Sequence, residues 1–130
     1  MSGFYDREIL REKVKLNHEK IVVNVNTLDS FCLENLVSHI DFLKIDTEGE
    51  ELNVLKGASS LLKNKLISVI QFEYGGCYID SETTLKEVYN LLVKHGFEIF
   101  RISPKGLIKI GKWKEQIENY KYCNYLAVLK

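Results

Sequence analysis

Proline is almost absent: Pro104 is the single one in 130 residues. Cysteine is scarce as well. Cys32, Cys77 and Cys123 are widely spaced and odd in number, which speaks against a disulfide framework or a zinc knuckle and fits a reducing cytoplasm. They read as small core residues. No apolar run is long enough to span a membrane. Net charge is zero, with 18 basic and 18 acidic residues interspersed, so nothing points to a nucleic-acid partner. Glycine is present at 3, 49, 57, 75, 76, 96, 106 and 111, but no G-x-G turn joins a strand to a helix. There is no repeat and no low-complexity tract. The opening residues lack the apolar core of a secretory leader.

What is there suits one globular domain, or part of one. Hydrophobic residues make up 45% of the chain. Residues 1–20 are charged and weakly periodic, and read as a loop or frayed helix. The β-branched run Ile21 to Asn26 reads as a strand. Thr27 then suits an N-cap, ahead of a short helix with Leu28, Phe31 and Leu36 as its buried stripe. Ile40 to Asp46 is the next strand. Leu52, Leu55, Ala58, Leu61 and Leu62 mark a helix from about Gly49 to Asn64, with Gly57 as a breaking point.

Further along, Leu66 to Tyr74 is apolar enough to be a strand covered on both faces. Ser81 suits a cap for a helix from Glu82 to His95, with Leu85, Val88, Tyr89 and Leu92 inward and Gly96 as its stop. Phe97 to Ile102 and Leu107 to Ile110 form a hairpin about Ser103-Pro104-Lys105-Gly106. Trp113 to Tyr122 is irregular or briefly helical, and Cys123 to Leu129 is the last strand. Strand-helix alternation predicts an α/β fold with a mostly parallel sheet and an antiparallel last strand.

The chemistry concentrates at two strand ends. Ile40-Asp41-Phe42-Leu43-Lys44-Ile45 runs into Asp46-Thr47-Glu48-Gly49, and Ser68-Val69-Ile70-Gln71-Phe72 runs into Glu73. Two strands that each deliver a carboxylate at the C-terminal end describe an active-site rim, because ligands of such sheets sit outside those ends. A plainer reading also stands: acids in the first turn of a helix cap its N–H groups and favour the positive end of its dipole. Lys44 either snorkels to solvent or pairs with a neighbouring acid.

Three blocks resemble one family. Val23-Asn24-Val25-Asn26-Thr27-Leu28-Asp29, then Leu43-Lys44-Ile45-Asp46-Thr47-Glu48-Gly49, then Glu51-Leu52-Asn53-Val54-Leu55-Lys56-Gly57-Ala58, are similar to the TLD and LKIDxEGxExxVLxGA segments of the FkbM methyltransferases. The resemblance runs from about Val22 to Lys130. It implies a Rossmann-like class I methyltransferase fold that uses S-adenosyl-L-methionine. The family's first strand, its glycine-rich cofactor loop and its ribose-binding acid have no counterpart here. The chain therefore resembles the C-terminal part of the domain, with residues 21–130 as a partial domain.

The resemblance implies methyl transfer to an oxygen of a small-molecule, sugar or lipid acceptor. Asp46 is the candidate acceptor-side carboxylate. Glu48 would assist it or cap the helix, and Glu73 would hold the acceptor or position Asp46. Tyr74 and Tyr78, just after the second strand, would line the acceptor pocket or simply pack the loop. Magnesium takes hard oxygen ligands, but no set of spaced ligands calls for it or for another metal. Against the enzyme stands a non-catalytic remnant or assembly module that keeps the fold without the cofactor loop. A magnesium phosphohydrolase fits poorly, since Glu48-Gly49-Glu50 stands where a second aspartate and a threonine are needed. Without a partner strand, Ile40 to Asp46 would present an exposed edge open to self-association.

Overall fold

The computed structural model describes residues 21–130. The expected loop or frayed helix at 1–20 lies outside them. Eleven elements follow in order among the described residues: α1 (Leu28–Glu34), β1 (Ile40–Ile45), α2 (Glu51–Lys56), α3 (Ser59–Lys63), β2 (Ile67–Tyr74), α4 (Cys77–Asp80), α5 (Leu85–Lys94), β3 (Phe97–Ser103), β4 (Gly106–Ile110), a 3-10 turn (Glu115–Ile117) and β5 (Cys123–Leu129).

The strands form one sheet in the order β1-β2-β5-β3-β4. Only β1 and β2 pair in parallel; β2 with β5, β5 with β3 and β3 with β4 are antiparallel. The expected mostly parallel sheet is thus corrected. The antiparallel last strand is present as expected, but it inserts between β2 and β3 and so converts what would be a parallel neighbourhood into two antiparallel ones. The hairpin adds the third.

Burial alternates along the strands. Ile70, Phe72 and Tyr74 of β2, Tyr125 and Ala127 of β5 and Ile99 of β3 are buried, and they share one core with Leu52, Leu55, Leu61, Leu62, Val88 and Leu92 of the helices. Phe72 stacks on Tyr125 with ring centroids 5.5 Å apart. The alternate residues Val69, Gln71 and Glu73 are only half-buried. Hence β2 is covered on one face among the described residues, not on both.

Local chemistry explains the remaining departures. Residues Ile21 to Asn26 are exposed and form no strand, since they find no partner strand among the described residues. Thr27 does cap α1, accepting the Ser30 N–H at 3.1 Å. Phe31 and Leu36, however, are 52% and 90% exposed, and Cys32 is the buried residue of α1. The long helix breaks at Gly57 into α2 and α3. Asp29 reaches across the break, accepting the N–H groups of Ser60 and Leu61 at 2.8 and 3.1 Å, so it caps α3 rather than its own helix. Ser81 ends α4, and Thr84 caps α5 in a reciprocal box with Glu87. Gly96 follows α5 with φ +92°, the left-handed stop that glycine makes without strain.

Candidate active site

The register of the parallel pair builds the site. Ile45 lies opposite Phe72 and both point into the core. Side chains alternate along a strand, so the next residues, Asp46 and Glu73, leave the sheet side by side on the opposite face. Their carboxyl groups hydrogen-bond to each other. Lys44, two residues before Asp46 and on the same face, donates to Asp46 Oδ2 at 2.7 Å.

These neighbours split the two acids. Lys44 holds the Asp46 carboxyl below the usual range, with the Glu73 hydrogen bond acting in the same direction. Desolvation pushes Glu73 up to about 7, helped by the hydrogen bond and charge of Asp46 and the charge of Glu48. Near neutral pH the pair therefore shares one proton: Asp46 is ionised and Glu73 keeps its proton to roughly neutrality. Lys44 is raised in turn by its hydrogen bond to Asp46.

The turn after β1 is fixed by a residue that the strand-end argument does not single out. Glu51 has no solvent exposure. Its carboxylate accepts the Thr47 N–H at 2.9 Å, the Thr47 hydroxyl at 3.2 Å and the Gly49 N–H at 3.0 Å. That clamp holds two consecutive left-handed residues, Glu48 at φ +54° and Gly49 at φ +109°. A Cβ on Gly49 would lie 2.7 Å from the Cys77 carbonyl oxygen, so the turn seats directly against α4. A non-glycine residue in this region is strained, and such strain collects at functional sites. A signal for Glu51 does exist in the sequence, since it is the last acid of the IDxEGxE block.

Tyr74 and Tyr78 are both fully buried. The Tyr74 hydroxyl donates to Glu118 at 2.9 Å and accepts the Tyr120 N–H at 2.7 Å, while the Tyr78 hydroxyl donates to the Glu73 carbonyl at 3.1 Å. Burial raises both phenols well above their ordinary value. The rings meet edge-on at 4.9 Å and support the rim from beneath. The aromatic ring at the rim surface is Tyr122, 69% exposed, whose hydroxyl lies 3.4 Å from Glu73 Oε2. Glu118 also accepts the Leu85 and Lys86 N–H groups at 3.0 Å each, tying the segment before β5 to the start of α5.

The motif segments of the sequence thus fold into a parallel strand pair that ends in a proton-sharing acid couple, with a clamped turn between strand and helix. A family model described as Methyltransferase FkbM domain matches residues 4–99, well over half of the chain. The chain belongs to the FkbM methyltransferase family. No curated protein and no solved structure matches it. The motif-based resemblance runs from about Val22 to Lys130, whereas the family match opens at residue 4 and closes at residue 99, inside β3. This match spans all of the acid-bearing segments, and the fold it implies agrees with the α/β architecture.

Cofactor and metal can be tested against the residues themselves. Among the described residues no G-x-G turn joins a strand to a helix: β2 passes into α4 through Gly75-Gly76, and the turn after β1 is filled by Glu51 and pressed on α4. These residues do not by themselves form a cradle for S-adenosyl-L-methionine. Among the described residues, no group of three or more His, Cys, Asp or Glu side chains is placed to hold a metal. No helix among them is long and apolar enough to cross a membrane.

Proposed function

We propose that this FkbM-family chain supplies the acceptor side of an S-adenosyl-L-methionine-dependent O-methyltransferase. The acceptor is a hydroxyl or carboxyl group on a small molecule, sugar or lipid. The observation that carries this is the placement of Asp46 and Glu73 side by side at the C-terminal ends of two parallel strands, with Lys44 Nζ 2.7 Å from Asp46 Oδ2. Asp46 accepts the hydrogen of the acceptor hydroxyl and orients its oxygen. Lys44 keeps Asp46 ionised. Glu73 holds Asp46 in place through its own proton, and Glu48 supplies negative charge beside the pair. Tyr74 and Tyr78 brace this rim. Three free, buried cysteines support a reducing compartment such as the cytoplasm.

A second reading has its own observation. Strand β1 stands at the end of the sheet, paired only with β2 among the described residues, and Phe42 on it is 54% exposed. That favours an assembly module, with a second copy of this chain adding to the edge.

One set of measurements separates the two. The protein is incubated with methyl-labelled S-adenosyl-L-methionine and a panel of hydroxyl- and carboxyl-bearing acceptors, and products are read by mass spectrometry. Methyl transfer that slows at least about tenfold in Asp46→Asn, with cofactor binding little changed, supports the enzyme. Unaltered turnover in that variant removes Asp46 from the chemistry. Absence of both transfer and cofactor binding by calorimetry, with stable self-association, favours the module.

A further inference from the structure

The half-buried face of the sheet carries a line of polar side chains that leads to the acid pair. Gln71 Nε2 donates to Asn124 Oδ1 at 3.2 Å. Asn124 Nδ2 donates to the Tyr122 hydroxyl oxygen at 3.2 Å. The Tyr122 hydroxyl then faces Glu73 Oε2 at 3.4 Å. The strand register explains how they meet. Glu73 lies opposite Asn124 and Gln71 lies opposite Leu126, so the chain steps between β2 and β5 on one face. Gln71 is also opposite Lys44 in β1.

The direction of this line matters more than its length. An amide nitrogen can only donate, so Asn124 occupies a lone pair of the Tyr122 oxygen. The Tyr122 hydrogen is then free to point at Glu73. Glu73 Oε2 accepts it, which leaves the Glu73 proton on the other oxygen. We propose that Tyr122 is a positioning residue: aimed by Gln71 and Asn124, its O–H turns the Glu73 proton toward Asp46 and leaves the Asp46 carboxylate as the group that accepts the substrate hydroxyl. The catalytic part of this inference rests on the methyltransferase reading. The proton placement rests on the hydrogen-bond line and on the Asp46–Glu73 contact. The charged groups facing Glu73 are Lys44 from β1 and Asp46 and Glu48 from the turn that follows it, with the Tyr122 phenol from the segment before β5. Of these, Asp46 and Glu48 hold its proton on, whereas the Tyr122 hydrogen bond favours its release.

The test uses carbon-13 NMR of the side-chain carboxyl groups in the 130-residue protein, titrated without cofactor or acceptor. In Tyr122→Phe the Glu73 midpoint rises by about half a pH unit, because a donor to its ionised form is lost. Asn124→Ala moves it the same way by less, because the hydroxyl is no longer aimed. A midpoint that stays or falls in Tyr122→Phe overturns the proposal, since a fall means that Glu73 donates to Tyr122 and the line runs backwards. An unmoved midpoint in Asn124→Ala overturns it as well. Because no methyl donor is present, failure here concerns the hydrogen-bond line and not the family's reaction; failed transfer with the titration shifts intact concerns the reaction and not the line.

Discussion

Glu51 accepts the backbone N–H of Gly49 at 3.0 Å from a side chain that has no contact with solvent. The same carboxylate takes two further hydrogen bonds from Thr47. A buried carboxylate is stable only if its lone pairs are used, and here the donors are those of the turn that carries Glu48. Replacing Glu51 with glutamine keeps the shape but turns one acceptor oxygen into a donor facing N–H groups. Glu51→Gln is expected to lower stability by about 2 kcal/mol in urea unfolding. A loss within the scatter of surface substitutions would show that the turn holds without the clamp.

Gly49 gives an independent reading of the same turn. Its φ of +109° is costly for any residue with a Cβ, and that Cβ would meet the Cys77 carbonyl at 2.7 Å. The atoms it would meet are the Cys77 carbonyl group and the Ser81 Cβ at 3.2 Å, none of them the far end of a flexible side chain. Gly49→Ala is expected to destabilise the protein by about 3 kcal/mol or more, from conformational cost and overpacking together. A variant of unchanged melting temperature would mean that α4 can retreat from the turn at little cost.

Much of this is legible in the sequence, for reasons that can be named. The helical stripes of α2, α3 and α5 and the strands β2 and β5 announce themselves because each buries a periodic set of apolar residues. Asp46 and Glu73 are legible as a pair because parallel neighbours with acids at the same end must bring them together. Glu51 is legible only as the last acid of the motif block, and its role is not, since a buried acid in a helix looks like any solvated acid until the turn it satisfies is known. Asp29 hides in the same way: its partners lie 31 and 32 residues away. The place of the last strand is hidden too, because local alternation says nothing about where it inserts, and its insertion between β2 and β3 is what leaves one parallel pair in the sheet. Likewise, the β-branched run Ile21 to Asn26 has strand propensity, yet propensity forms no strand without a neighbour to pair with.

The acid pair predicts a pH dependence of stability. Folded Glu73 keeps its proton up to about 7, whereas the unfolded chain releases it near the ordinary value of 4.5. Between those values ionisation favours the unfolded state, so stability contributed by Glu73 falls as pH rises through the window and levels off above it. Asp46 acts in the opposite sense: its folded carboxyl titrates below 3.8, so its stabilisation is present above that value and is lost in acid. Glu73→Gln cannot ionise. Relative to the parent it is expected to become more stable as pH rises from about 4.5 to 7, in paired thermal melts across that range. A constant difference between the two proteins would show that Glu73 titrates normally.

The last expectation concerns the edge of the sheet. Among the described residues β1 pairs with β2 alone, so one side of its backbone has no strand beside it. Natural edge strands are guarded by charge, bulges or brevity. Here Asp41 is almost fully exposed and the Lys44–Asp46 ion pair lies at one end, but Phe42 between them is 54% exposed. An apolar residue flanked by open backbone groups suits pairing with a second copy of the same strand, which would satisfy both edges and cover both Phe42 rings. Such a contact is small, so association is expected to depend on concentration rather than to be permanent. Light scattering across the micromolar range should show mass rising with concentration, and Phe42→Lys should return the protein to monomer by placing two like charges in the contact. A parent protein that stays monodisperse and monomeric throughout would mean that the edge is already covered within the chain.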